Sequence, residues 1–227
     1  MLNCSETVKK LAFGLSGREE LLDLLVAAQD CSGPEAARAV FAYTAHEDYL
    51  VKSRAWVSLK RMAPSSLVPE LIASLANEQD LEFRLRCVEV LGSVRDQASV
   101  DQIGAFLADP DPLVVRAIVW ALGEIGGEQA ASSLLVFAAS PAGRIIRREV
   151  VAEALATALA GLPEDKRLQW LRQKQAGSLR VWQYLQGLSL ELGPMPRFSP
   201  YPAPDYFRLQ CKIREIDYRT YKNIMES

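Results

Sequence analysis

The sequence predicts an all-α protein, an α-solenoid or superhelix of about five helical hairpins with a helical extension towards its C-terminal end. Three observations carry this expectation. Leu59, Leu91, Leu122 and Leu155 recur at spacings of 32, 31 and 33 residues, each in an apolar helical pattern that ends in Leu-Gly or a near variant. Each period holds two helical patterns, and a period in the thirties with two helices per unit marks stacked repeats. Hydrophobic residues make up 49% of the 227, enough to fill a core along the whole stack.

The first helical pattern runs from Gly17 to Gln29, with Leu21, Leu22, Leu24, Leu25 and Ala28 apolar. Ser32-Gly33-Pro34 interrupts it, and a second helix follows through Ala36, Ala39, Val40 and Tyr43. Asp48 opens the next unit as an N-cap, its carboxylate placed to accept from unpaired helix N–H groups. Leu50, Ala55, Leu59 and Met62 continue that helix, and a return helix starts at Pro64 with Leu67, Leu71, Ile72 and Leu75. The third unit opens at Asp80 and runs through Phe83, Cys87, Val90 and Leu91 to a stop at or near Gly92; its return carries Val100, Ile103, Phe106 and Leu107. The fourth spans Asp109 to Ala139, with Pro110 and Pro112 suited to a turn and a first helical position. Gly123, Gly126 and Gly127 stand where that chain stops and reverses. A fifth unit starts near Pro141 and includes Ile145, Ile146, Val150 and Leu155, with a return from Glu164 to Arg172.

Beyond Gly177 the pattern changes. Val181, Trp182, Leu185 and Leu188 suit one more helix that closes the array. Residues 194–204 hold five of the twelve prolines, a density that blocks helix and favours an extended connection. A final helix over 205–227 carries two apolar stripes: Leu209, Ile213, Ile216 and Ile224, and Phe207, Cys211, Tyr218, Tyr221 and Met225. The organisation expected is thus a repeat array over 1–190, a proline-rich linker over 191–204 and an amphipathic helix over 205–227. Terminal repeats need capping, so that helix either covers the array or docks on a partner.

The fourth unit resembles the HEAT-like repeat associated with phycobilisome lyases. The residues that carry the resemblance are Asp111-Pro112, Val115-Arg116, Ala117 and Ala121-Leu122-Gly123, followed by Glu124-Ile125-Gly126. Weaker copies occur at Arg86 with Leu91-Gly92, at Arg54 with Leu59-Lys60 and at Arg148 with Leu155-Ala156, so the resemblance covers residues 47–175. It implies a stack of hairpins, and it is nearly silent on activity because such repeats serve unrelated roles. Asp48, Asp80 and Asp111 recur at the turns and Arg54, Arg86, Arg116 and Arg148 before the repeated leucine. Asp–Arg contacts between successive units are expected to fix the stacking register.

Charge and motif content narrow the functional classes. The net charge is −2, but residues 1–140 carry 12 Lys/Arg against 19 Asp/Glu and residues 141–180 carry 8 against 4. Arg144, Arg147 and Arg148, with Lys166, Arg167, Arg172 and Lys174, form a basic section suited to phosphate or an acidic partner. The overall acidity argues against nucleic acid, whose affinity grows with the number of phosphate contacts. Cys4, Cys31, Cys87 and Cys211 contain no CxxC pair and suggest neither a disulfide framework nor a zinc site. The polar start, with no apolar signal segment, and the lack of an apolar run of spanning length point to a cytoplasmic protein without a membrane span. His46 is the single histidine. HEAT-like deoxyhypusine hydroxylases hold iron with several His-Glu pairs, and His46-Glu47 alone cannot build that site. There is no Gly-x-Ser-x-Gly elbow, Walker loop or dinucleotide fingerprint.

The expected function is a non-catalytic scaffold or adaptor that grips a protein partner along the concave face of the return helices, near Val68, Gln102 and Ser133. No cofactor or metal is expected, and a homo- or hetero-oligomer is compatible with the fold. Arg144, Arg147, Arg148, Phe207, Tyr218 and Tyr221 are the candidate partner-binding residues. The alternative follows from the resemblance alone: a bilin lyase subunit or chaperone-like factor that handles an open-chain tetrapyrrole, with Trp56, Trp120 and Arg116 as the residues to offer. Tryptophans at repeat positions on helices more often serve the core.

Overall fold

The computed structural model describes residues 3–14 and 17–177. The fold class is the one the sequence predicts: all-α, of the solenoid class, with no strand among the described residues. The chain divides into two compact units, residues 1–99 and 100–227, and the division falls between the two helices of the third repeat.

The first unit contains α1 (Cys4–Phe13), α2 (Arg18–Ala27), α3 (Pro34–Phe41), α4 (Tyr49–Met62), α5 (Val68–Asn77) and α6 (Leu81–Val94). Helix α1 packs on α2 and α3, both of these pack on α4, and α6 packs on α4 and α5. Leu24, Leu25, Val40, Ala55, Leu59, Leu71, Leu75 and Leu91 are buried between them. Trp56, 3% exposed, meets Phe41 and Phe83 edge-on at ring-centroid distances of 6.2 and 5.0 Å. It joins three helices in one aromatic cluster. Ser58 is fully buried and satisfied: its hydroxyl donates to the Leu25 carbonyl at 2.7 Å and accepts from Gln29 at 3.0 Å. That pair fixes α4 on α2, because an unpaired hydroxyl in this position would be costly.

Helix starts follow the sequence closely. The Asp48 carboxylate accepts from the Leu50 and Val51 amides at 2.8 and 3.3 Å, Asp80 from those of Glu82 and Phe83 at 2.9 and 3.4 Å, and in the second unit Asp111 from that of Leu113 at 2.8 Å. The Val51 amide is the main reason the Asp48 carboxyl lies below the usual carboxylate range. These aspartates therefore cap their own helices. Arg18 does reach Asp48 at 3.3 Å, but α4 and α6 are joined by Lys52 and Glu82 at 3.0 Å, and Arg86 pairs with Glu89 on its own helix at 3.1 Å.

Helix α1 was not expected from the sequence. Its signal was the capping box Asn3-x-x-Glu6: the Asn3 side chain accepts the Glu6 amide at 2.9 Å, and the Glu6 carboxylate accepts the Asn3 amide at 3.3 Å. It folds back on the first hairpin, and Cys4 and Cys31 form a disulfide with their Cα atoms 5.4 Å apart. This corrects the expectation that the cysteines form no disulfide; the two residues are 27 apart in sequence and meet only because α1 reverses direction.

The second unit contains α7 (Val100–Gly104), α8 (Pro112–Ile125), α9 (Gly127–Ala139), α10 (Arg148–Ala160) and α11 (Glu164–Gly177). Helix α7 continues as a 3-10 turn over Ala105–Ala108. It packs on α8 and α9, while α10 packs on both α8 and α9. Small residues let these helices approach closely. Gly123 lies inside α8, fully covered, and a Cβ there would stand 3.0 Å from both the Cα and the carbonyl oxygen of Ala154 on α10.

Gly123 is thus not the stop expected of it, and α6 ends at Val94, two residues past Gly92. Helices α4, α6 and α8 each continue past the repeated leucine for three residues and then turn left-handed, at Ala63 (φ 46°), Arg95 (φ 56°) and Gly126 (φ 76°). The Ala63 and Gly126 amides donate back to Leu59 and Leu122 at 2.9 and 3.0 Å. The repeat therefore places its left-handed residue at one fixed offset, and only the fourth copy fills it with glycine. Helix α10 departs from this rule and runs on to Ala160; it starts at Arg148, after a 3-10 turn over Ala142–Ile145 that Pro141 precedes.

Candidate functional site

The second unit carries an open apolar groove of about 490 Å³ between the return helices of the third and fourth repeats. One wall is formed by Asp101, Gly104, Ala105 and Ala108 from α7 and the turn that prolongs it. The other is formed by Gln129, Ser132, Ser133, Val136 and Ser140 from α9 and its C-cap. Both walls follow helical periodicity. On α7, Val100 and Ile103 are buried, so Asp101, Gly104, Ala105 and Ala108 fall on the opposite side. On α9, Ala130, Ala131, Leu134 and Leu135 are buried and leave the groove residues outward. Val136 is 71% exposed, a large β-branched side chain left open to solvent within the groove.

The α9 wall is held in place by α11. Trp170, 3% exposed, donates its indole N–H to the Ser132 hydroxyl at 3.3 Å, and that hydroxyl donates to the Glu128 carbonyl at 2.7 Å. Lys174 lies 5.7 Å from the centre of the Trp170 ring. Trp170 could not be singled out from the sequence, because its only signal there is a place in the return helix over Glu164–Arg172. At Gly104 an added Cβ would lie 3.8 Å from the Ser133 hydroxyl, an ordinary contact, so this glycine narrows the wall without being required for it.

Asp101 is the charged residue of the groove lining. Asp101 and Gln129 come from the first turns of the two helices, and Ala108 and Ser140 from their far ends. Immediately after the groove residue Ala142 come Arg144 in the 3-10 turn, Arg147 as the N-cap of α10 and Arg148 as its first residue. All three are exposed. Arg147 and Arg148 stand at the positive end of the helix dipole, with Glu149 in the same first turn.

The other candidates that the sequence offered are dispersed. Ser133 lines the groove, Gln102 is exposed but outside the lining, and Val68 is buried at 6% and cannot offer a concave surface. The reason is local: Val68 begins α5, and its side chain joins Leu67, Leu71 and Leu75 in the first unit's core. Trp56 is core, whereas Trp120 is 37% exposed with Arg116 exposed one turn earlier on α8. His46 sits in the turn before α4, stacked on Tyr43 at 5.9 Å, and its Nδ1 accepts the Asp48 amide at 3.0 Å. Lys166, Arg167, Arg172 and Lys174 lie on α11. Phe207, Tyr218 and Tyr221, the linker over 191–204 and the helix expected over 205–227 lie outside the described residues. Among the described residues no three His, Cys, Asp or Glu side chains are grouped to hold a metal, and no helix is long and apolar enough to cross a membrane.

No curated protein matches the chain. Residues 68–156, from the start of α5 into α10, match the family model for HEAT repeats, a span narrower than the 47–175 drawn from the sequence.

Proposed function

We propose that the protein is a non-catalytic interaction module and that the groove between α7 and α9 holds a segment of a partner protein. The observation that carries this reading is Val136, exposed at 71% in a groove whose other wall carries Gly104, Ala105 and Ala108. Grooves of this kind bind chain segments through apolar anchors, with flanking charges setting direction and specificity. The segment that fits has small apolar side chains for the groove and an acidic end for Arg144, Arg147 and Arg148. HEAT repeats commonly mediate protein–protein interaction, which supports the class of function but leaves the partner's identity to experiment.

The test is affinity purification with the full chain, followed by titration of the purified partner against variants. Val136→Glu replaces the exposed apolar side chain of the α9 wall by a carboxylate, at an exposed position where the fold is unaffected. A loss of about tenfold or more in affinity is expected, with a smaller loss for Arg144→Glu. Unchanged affinity in both variants would remove the groove from the interface. Deletion of residues 194–227 tests the contribution of Phe207, Tyr218 and Tyr221 in the same titration.

The bilin-handling reading draws support from the resemblance of residues 109–139 and from Arg116 and half-exposed Trp120 on one face of α8. A guanidinium beside an indole suits a conjugated ligand with propionates. Co-expression with a bilin separates the two readings: a coloured protein that bleaches in Trp120→Ala favours it, and a colourless one counts against it.

A further inference from the structure

We propose that Cys4 and Cys31 form a thiol-operated latch: their disulfide holds α1 against the first hairpin, and reduction by a low-molecular-weight thiol releases it. The two Cα atoms lie 5.4 Å apart, within the span of an ordinary disulfide. Cys4 is exposed whereas Cys31 is 6% exposed. The accessible sulfur is therefore that of Cys4. A small thiolate attacks it, a mixed disulfide forms on Cys4, and Cys31 leaves as the thiolate. A second small thiol attacks the mixed disulfide and frees Cys4. Two small thiols become one small disulfide, and their two protons finish on Cys4 and Cys31.

The helix so released has little else to hold it. It is 10 residues long, and a helix of that length is marginal in water. Only Thr7 and Leu11 of its residues are buried, and Phe13 is 74% exposed. Lys10 pairs with Glu20 at 2.8 Å, but both side chains are about half exposed, where such pairs contribute little. A further tie is the Tyr43 hydroxyl, which donates to the Leu11 carbonyl at 2.7 Å. Helix α4, by contrast, is gripped by α2, α3 and α6, so release of α1 leaves the rest of the unit in place. In a reducing compartment the latch stands open and in an oxidising one it is closed.

The test equilibrates the full chain with mixtures of oxidised and reduced glutathione and reads peptide mapping and amide hydrogen exchange together. Under oxidising conditions the tryptic peptides Met1–Lys9 and Glu19–Arg38 are expected as a linked pair. Reduction should speed exchange in α1 on the order of a hundredfold, the scale of closing a loop of this size, with α4 unchanged. Cys87 is the internal control: it is fully buried, burial pushes its thiol up to about 12, and it should stay unmodified in the folded chain. Cys211 is read in its own peptide, Leu209–Lys212. Cys4→Ser, at an exposed position, should show fast α1 exchange under both conditions. Absence of the linked pair at every glutathione ratio would overturn the proposal, as would equal α1 protection in both states. Equal loosening of α4 would overturn it too, since the bond would then staple the whole unit.

Discussion

The two units solve one packing problem with different chemistry. In the first, specific side-chain links join the helices: the Trp56 cluster across α3, α4 and α6, the Ser58 bonds between α2 and α4, and Arg84, whose Nε donates to the Leu75 carbonyl at 3.1 Å. In the second, α8 and α10 are close enough that a glycine is needed at the contact, and alanines fill much of the interior. Bulky linked cores tolerate a polar group if it is fully bonded, whereas small-residue cores depend on backbone approach and fail when volume is added. The difference bears on function. Small side chains on the return helices of the second unit leave a groove open.

Substitutions can break this contrast, the largest effect first. Trp56→Ala should cost about 3–5 kcal/mol, the range for a buried aromatic whose site cannot collapse. Local exchange measurements should show the loss in α3, α4 and α6. Gly123→Ala adds a single carbon but forces it against the Ala154 backbone, and about 1–3 kcal/mol is expected from overpacking. The loss should appear in α8 and α10. If Gly123→Ala were neutral, the close-approach account of the second unit would be wrong.

The turns sharpen the comparison further. Ala63 holds the left-handed position that Gly126 fills in the fourth repeat. Ala63→Gly should therefore stabilise the first unit by about 0.5–1 kcal/mol, read as a raised midpoint of denaturation. The smallest effect is one of pH. Burial raises the Tyr43 phenol above 10.0 in the folded protein. Folding thus favours the neutral phenol that donates to Leu11, and the contribution is complete below the unfolded value of 10.0. It is lost as pH rises through the higher folded value. Exchange in α1 should accelerate over that alkaline range, and Tyr43→Phe should abolish the dependence.

Much of this was legible in the chain itself. The period of the repeated leucines, the three aspartate N-caps and the alternation of first and return helices are local patterns, set by helical geometry and by the needs of unpaired amides. The helix ends were harder to read, because a glycine stops a helix only where the backbone must turn left-handed. Gly92 and Gly123 instead stand inside helices, Gly123 where the Ala154 backbone comes close, and Ala63 and Arg95 make the turns. The Arg144, Arg147 and Arg148 cluster was legible as charge, but its place beside a groove was not.

By itself, then, the sequence determined that this protein is helical and repeated, since periodicity and capping act within a few residues of each other. Tertiary structure alone decided that Cys4 meets Cys31, that Val68 is hidden while Val136 is open, and which glycines serve contact and which serve turns. Those outcomes depend on how closely two distant backbones approach, and no spacing along one chain records that distance.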